Sequence, residues 1–208
     1  MLLRTRQLIS LVSLTLISVA AIAAGDPAAG KNQYTVCAAC HGANGEGNPA
    51  MNSPKIAGQE DWYLKRQLEL FKAGGRGGAG DTYGAQMRPM AMMLATEEAI
   101  DNVVAYIGTM EPAPSPVTVD GDAARGKSLF VVCGACHGAN GEGNVAMNGP
   151  ALAGQSDWYL VRQIQNYKNG VRGKSPHDLY GRQMAPMANT LGDDQAIRDV
   201  VAYLNSLQ

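Results

Sequence analysis

The chain has 208 residues, room for one or two domains, and is 46% hydrophobic but only 17% charged. Seventeen lysines and arginines oppose 18 acidic residues for a net charge of −1, which excludes the strongly basic face that nucleic-acid binding requires. Its 25 glycines suit a chain that wraps something bulky with little side-chain mass.

The first element, residues 1–24, reads as a leader rather than part of the fold. Arg4 and Arg6 precede an apolar run from Leu8 to Val19, followed by Ala21-Ile22-Ala23, the small-x-small pattern of a signal-peptidase site. Cleavage is expected after Ala23 or Ala24, and export to the periplasm with it. A retained anchor is the alternative, although Ser10, Ser13, Thr15 and Ser18 interrupt a run already at the lower limit for a bilayer span. Beyond the leader, residues 25–116 carry a net charge of −3 and residues 117–208 a net charge of zero.

The fold class expected from the remaining elements is all-α. A first helix runs from Pro27 to Val36 into Cys37. Asp61 is placed to N-cap a helix through Ala73, with Gly74 ending it. The segment Gln86-Met87-Arg88-Pro89-Met90-Ala91 falls in a loop. Thr96 is placed to N-cap a last helix, whose Ile100, Val103, Val104 and Ile107 form one apolar stripe at i, i+3, i+4 and i+7. Pro112, Pro114 and Pro116 then favour an extended, semi-rigid spacer over residues 111–119.

After the spacer the chain repeats itself. Val36-Cys37-Ala38-Ala39-Cys40-His41-Gly42 returns 96 positions later as Val132-Cys133-Gly134-Ala135-Cys136-His137-Gly138. Trp62 returns as Trp158 at the same offset, and Met87 returns as Met184 one position later, which is read as a single residue inserted between Arg76 and Tyr83 of the first copy, in a Gly-rich loop. Ile197, Val200, Val201 and Leu204 repeat the terminal stripe. Whole-domain duplication follows, with a first domain at 26–110 and a second at 120–208. Domains this small bury little core of their own, which a large apolar cofactor would relieve.

The repeated segments hold all four cysteines and two of the three histidines. Cys-x-x-Cys-His is the spacing of c-type haem attachment: Cys37 and Cys40, or Cys133 and Cys136, bond the haem vinyl carbons, and His41 or His137 turns its imidazole toward the iron. An exported chain with four cysteines otherwise suggests disulfides, but a thioredoxin-type pair needs a βαβ context that is absent. A zinc site of two Cys-x-x-Cys pairs leaves both histidines unexplained. The carbonyls of Pro54 and Pro150, thirteen residues past each histidine, are candidates to accept its Nδ1 proton.

A second axial ligand of electron-transfer type is methionine. Three methionine pairs recur between the copies. Met51 and Met147 follow the histidine too closely to cross the haem and are expected to pack. Met87/Met184 and Met90/Met187 both remain candidates. Trp62, Tyr63, Arg66 and Gln67, with Trp158, Tyr159, Arg162 and Gln163, either line the haem or bind its propionates, or belong to an ordinary amphipathic helix. His177 has no counterpart and is expected in a surface loop.

Nearly the whole mature chain resembles the diheme class I cytochromes c of the cytochrome c4 family. The resemblance rests on the two Cys-x-x-Cys-His-Gly motifs, the Pro-Lys-Ile-Ala-Gly-Gln and Pro-Ala-Leu-Ala-Gly-Gln loops, the Tyr-Leu-x-Arg-Gln helices, the Met-x-x-Met segments and the final Ala-Tyr helices. It implies two tandem domains around a pseudo-twofold axis, each a few helices wrapped around one covalent haem c. It also implies axial Met87 and Met184, the first of each methionine pair. The implied role is periplasmic electron transfer by a monomer, loosely associated with the membrane, from a quinol-oxidising bc1 complex to a cbb3-type terminal oxidase or another reductase. The alternatives are a cytochrome subunit of a larger redox enzyme and a diheme peroxidase. A peroxidase needs an open iron position, whereas both copies keep the methionine segment.

Overall fold

Eight α-helices and no strand form among the described residues, which in this computed structural model are 25–208. The leader over residues 1–24, with its cleavage near Ala23 or Ala24, lies outside them. The helices fall into two sets of four: α1 (Pro27–His41), α2 (Asp61–Lys72), α3 (Thr82–Met92) and α4 (Glu97–Ile107), then α5 (Ala123–His137), α6 (Asp157–Lys168), α7 (Leu179–Ala188) and α8 (Asp194–Asn205). Among the described residues no helix is long and apolar enough to cross a membrane.

Each set is built on one crossing, α1 on α4 and α5 on α8. Asp26 starts α1 by accepting from Ala28 N at 2.8 Å with Pro27 at the first helical position, and Asp122 starts α5 in the same way. Gly30 and Gly126 permit the crossings. A Cβ at Gly30 would lie 1.9 Å from Asn102 O, and one at Gly126 would lie 1.8 Å from Asp199 O.

The apolar stripes of the terminal helices are the cores. Ile100, Val103, Val104 and Ile107 pack with Tyr34, Leu64 and Leu94. Ile197, Val200, Val201 and Leu204 pack with Phe130, Leu160 and Leu191. Ile197 is fully buried, so Ile197→Ala is expected to cost about 2–5 kcal/mol. Thr96 caps α4 through Ala99 N at 3.1 Å, as its position suggested.

Several expectations are corrected. Asp61 is the first residue of α2 rather than its cap; Glu60 holds the cap position, and the helix ends at Lys72 with Ala73 as C-cap. The methionine segments are helical, not loops. Asp81 and Asp178 each accept from a backbone amide three residues on, Gly84 N and Gly181 N, both at 2.9 Å, and start helices that contain Pro89 and Pro186. Each proline removes one backbone donor, and the residues left without it, Ala85 and Arg182, are solvent-exposed. The extra residue between the copies lies in the second, between Arg172 and Asp178.

The proline-rich segment is extended but is not a free spacer. Thr118 N, Thr118 Oγ1 and Val119 N donate to the fully buried Asp157 carboxylate at 2.5, 2.7 and 2.8 Å. Ser115 donates its hydroxyl to Gly154 O at 3.1 Å, and Lys55 Nζ, from the first half, donates to Ala113 O and Gly154 O. The connection therefore lies bonded along the second half.

Candidate haem-binding sites

The last turn of α1 carries Cys37, Cys40 and His41, and the last turn of α5 carries Cys133, Cys136 and His137. Residues three and four apart share a helix face, so each helix end presents its sulfurs and imidazole together. All four cysteines are of intermediate burial, and none is paired with another in a disulfide.

Both histidines are held by one backbone acceptor. His41 Nδ1 lies 2.8 Å from Pro54 O and His137 Nδ1 lies 2.7 Å from Pro150 O, as the sequence suggested. That bond places the proton on Nδ1 and leaves the Nε2 lone pair free for a metal. Burial pushes both imidazoles below their ordinary value, against the pull of those carbonyls, so they stay neutral as a ligand must be.

A cavity adjoins each helix end. The first, about 130 Å³, is bordered by Cys37, His41, Pro54, Met87, Leu94 and Val103; the second, about 320 Å³, is bordered by Cys133, Cys136, His137, Pro150, Met184 and Met187. Cys40 and Met90 do not border the first cavity, whereas both cysteines and both methionines border the second. The contents are therefore sulfur and imidazole from one element, methionine from another, and apolar side chains between.

Met51 and Met147 were expected to pack. They are half exposed, at 47% and 50%, because each ends a single 3₁₀ turn (Pro49–Met51 and Val145–Met147) at the surface. His177 is exposed in the loop before α7, as expected.

The polar residues of the Tyr-Leu-x-Arg-Gln helices do something the sequence did not disclose. Tyr63, Gln67, Tyr159 and Gln163 border both cavities, so each wall is shared between the halves. Arg66 and Arg162 each cross to the opposite half. Arg66 Nη2 donates to Asn148 Oδ1 at 2.6 Å and stacks on Tyr180; Arg162 Nη2 donates to Asn52 Oδ1 at 2.8 Å and stacks on Tyr83. Trp62 and Trp158 border neither cavity; each is a ring on which Arg66 or Arg162 also stacks.

Sequence reasoning missed Arg76 and Arg172 altogether. Both are buried, Arg76 beside the first cavity and Arg172 beside the second. Arg76 donates to Gln67, Tyr159 and Gln163; Arg172 donates to Gln163, Tyr63 and Gln67. The Nε of each has no protein acceptor. A buried guanidinium with a spare N–H fits the carboxylates of a haem, which carries two on one edge. The only available signal was their position, an arginine shortly after each Tyr-Leu-x-Arg-Gln helix in both copies.

Relatives agree with this chemistry. Residues 27–111 and 123–208 each match the family model described as Cytochrome c. Cytochrome c4 of Azotobacter vinelandii is 34% identical over 190 residues, spanning 86% of this chain and 90% of its own. The thiosulfate dehydrogenase electron acceptor of Stutzerimonas stutzeri (strain A1501) is 34% identical over 179 residues, spanning 80% of this chain and 76% of its own. Among solved structures, reduced recombinant cytochrome c4 from Pseudomonas stutzeri is similar with a TM-score of 0.71 at 29% identity, over 89% of this chain and 100% of that one. The all-α tandem fold, the two Cys-x-x-Cys-His helix ends and these matches lead to one conclusion: the chain belongs to the cytochrome c family and, within it, to the diheme cytochromes c4, electron carriers with one covalently attached haem c in each half.

Proposed function

We propose that Cys37 and Cys40 attach the first haem and Cys133 and Cys136 the second, with His41 and Met87 as axial ligands of one iron and His137 and Met184 of the other. Each haem supplies one-electron ferrous–ferric exchange when bound. The residues supply the rest. Pro54 and Pro150 orient the imidazoles. Leu94, Val103 and their second-half counterparts keep water from the cavities. Arg76 and Arg172 hold the propionates. Met87 is favoured because it borders its cavity and Met90 does not. Met184 follows by equivalence within the repeat.

The single observation that carries the carrier role is the paired occurrence of these donor sets in two cavities that share a wall. Electron exchange between haems falls off with distance, so a common wall favours relay through the chain. The protein then takes electrons in the periplasm from a quinol-oxidising bc1-type complex and delivers them to a cbb3-type oxidase or another reductase. The relative named as an electron acceptor for thiosulfate dehydrogenase favours a second reading, in which the donor is a dehydrogenase of that kind.

Two measurements test this. The reduced protein should keep its visible spectrum under carbon monoxide, and a shift in half of the haem would replace the carrier with an enzyme that has one open iron. Stopped-flow reduction by a bc1-type complex with quinol, and oxidation by cbb3-containing membranes, should both be fast. Rapid reduction by a thiosulfate-oxidising enzyme alone would favour the second reading.

A further inference from the structure

Two residues at helix starts do not cap their helices. Glu60 precedes α2 and Ser156 precedes α6 at equivalent positions of the two halves, and neither side chain bonds to its own helix. A capping side chain ordinarily contributes about 1 kcal/mol by satisfying an orphan amide. Here both side chains cross to the opposite half instead, and both reach the same place on it. Ser156 Oγ accepts from Lys55 N at 3.2 Å, and the two oxygens of Glu60 accept from Ala151 N at 3.1 and 3.0 Å.

Those amides are not arbitrary. Lys55 N shares a peptide group with Pro54 O, and Ala151 N shares one with Pro150 O, the acceptors of His41 Nδ1 and His137 Nδ1. Each imidazole is thus joined, through a single peptide unit, to a side chain of the other domain. The first chain ends on a neutral hydroxyl and passes the buried Lys55, whose ammonium donates to Gly154 O at 2.9 Å. The second ends on a carboxylate. The seat for that carboxylate is made by Gly143, where a Cβ would lie 2.1 Å from Glu60 Oε1 and 2.8 Å from Ala151 N.

We propose that Glu60, a first-domain residue, is a positioning residue for the second domain's haem: its carboxylate polarises the Pro150–Ala151 peptide, strengthens the hydrogen bond on His137 Nδ1 and lowers that haem's reduction potential. The proposal rests on His137 being an axial ligand. A carboxylate on an amide N–H draws negative charge toward the carbonyl oxygen of the same peptide, because hydrogen bonds in a chain polarise one another. A stronger acceptor on Nδ1 makes the imidazole a more basic ligand, which favours the ferric state. The proton stays on Nδ1. His41, whose chain ends on Ser156, receives none of this push.

The test is a redox titration of the diheme protein with NMR assignment of each haem and of the histidine Nδ1 protons. Glu60→Gln keeps the length and an acceptor oxygen but removes the charge. It should raise the second haem's midpoint by about tenfold in its redox equilibrium constant, about 59 mV for one electron, and leave the first in place. The His137 Nδ1 proton should move upfield, and that of His41 should hold. Glu60→Asp keeps the charge but withdraws it from Ala151 N, so it should move the midpoint the same way. A shift in Glu60→Gln with none in Glu60→Asp would overturn the relay in favour of simple charge proximity. Ser156→Glu should lower the first haem's midpoint. Unchanged midpoints and proton shifts in Glu60→Gln would overturn the proposal outright. His137→Gly separates this from the ligand assignment: loss of one low-spin haem spectrum leaves His137 as the ligand, and an intact spectrum removes it.

Discussion

The two halves keep the same donor atoms and differ in what surrounds them. Cys37, His41, Pro54 and Met87 have their equivalents in Cys133, His137, Pro150 and Met184, and the hydrogen bonds on the two histidines differ by only 0.1 Å. Asp61 and Asp157 also correspond, yet Asp61 is exposed while Asp157 is fully buried and carries the connection between the halves. The contrast has a geometric origin. A pseudo-twofold axis can pair every residue of two domains, but a single connecting segment cannot obey it. It leaves one domain and lies on the other, so the residues that receive it diverge. The set of residues at the sites is retained, whereas the cavities differ in volume and lining and the linker and shared interface diverge.

Removing the attachment thiols is the strongest way to break the equivalence. Cys37→Ala with Cys40→Ala, or Cys133→Ala with Cys136→Ala, should each halve the covalently bound haem per chain, read from the haem-to-protein absorbance ratio. Retention of both haems by either variant would refute the attachment assignment. The methionines proposed as iron ligands come next. Met87→Ala should open the first iron to carbon monoxide and lower its midpoint, while Met90→Leu should do neither. The same pair of changes at Met184 and Met187 sharpens the comparison, because both of those methionines border the second cavity.

Asp157 and Asp61 should differ by more than their shared ancestry suggests. Asp157→Ala leaves Thr118, Val119 and Asn205 donors without their acceptor and should cost about 2–4 kcal/mol in urea unfolding. Asp61→Ala should stay within about 0.5 kcal/mol. The effect carries a pH signature. Burial pushes the Asp157 carboxyl up, but the hydrogen bonds from Thr118, Val119 and Trp158 outweigh it and hold the group below its ordinary value. A group depressed in the folded state stabilises above its unfolded pKa, about 4, and loses that contribution as pH falls through the folded value. Wild type should therefore lose its advantage over Asp157→Asn progressively below about pH 4. A constant difference across that window would count against the carboxylate as the linker's anchor.

An effect smaller than that of Asp157→Ala concerns the residue behind each attachment helix. Tyr34 donates its hydroxyl to Gly42 O at 2.7 Å, just past His41, and Phe130 occupies the same place in the second half without that bond. Tyr34→Phe should cost about 1 kcal/mol, and Phe130→Tyr is the reciprocal change. Equal thermal midpoints for wild type and Tyr34→Phe would show that the hydroxyl adds nothing.

Much of the site was legible because its signals are local. Cys-x-x-Cys-His sits within one helical turn, the histidine-to-proline spacing is the same in both copies, and the terminal stripes repeat every three or four residues. Duplication strengthened each signal by showing it twice. The methionine segment misled for a local reason as well. Gly84 and Pro89 mark a loop by type, but Asp81 and Asp178 cap the starts of these segments, and packing of α3 on α2 and of α7 on α6 holds them helical.

The sequence by itself determined the cofactor chemistry, the tandem organisation and the core of each half, since each depends on residues close together in the chain. Only the tertiary structure decided that the two cavities share a wall, that Arg66, Arg162, Arg76 and Arg172 reach into the opposite domain, and that Glu60 and Ser156 leave their own helices for the partner's histidine loop. These contacts join residues roughly 80 to 110 positions apart. Their side chains are of the types any exposed helix face carries, so no periodicity distinguishes them. What they bond to is set by how two domains dock, and docking is a property of surfaces in three dimensions.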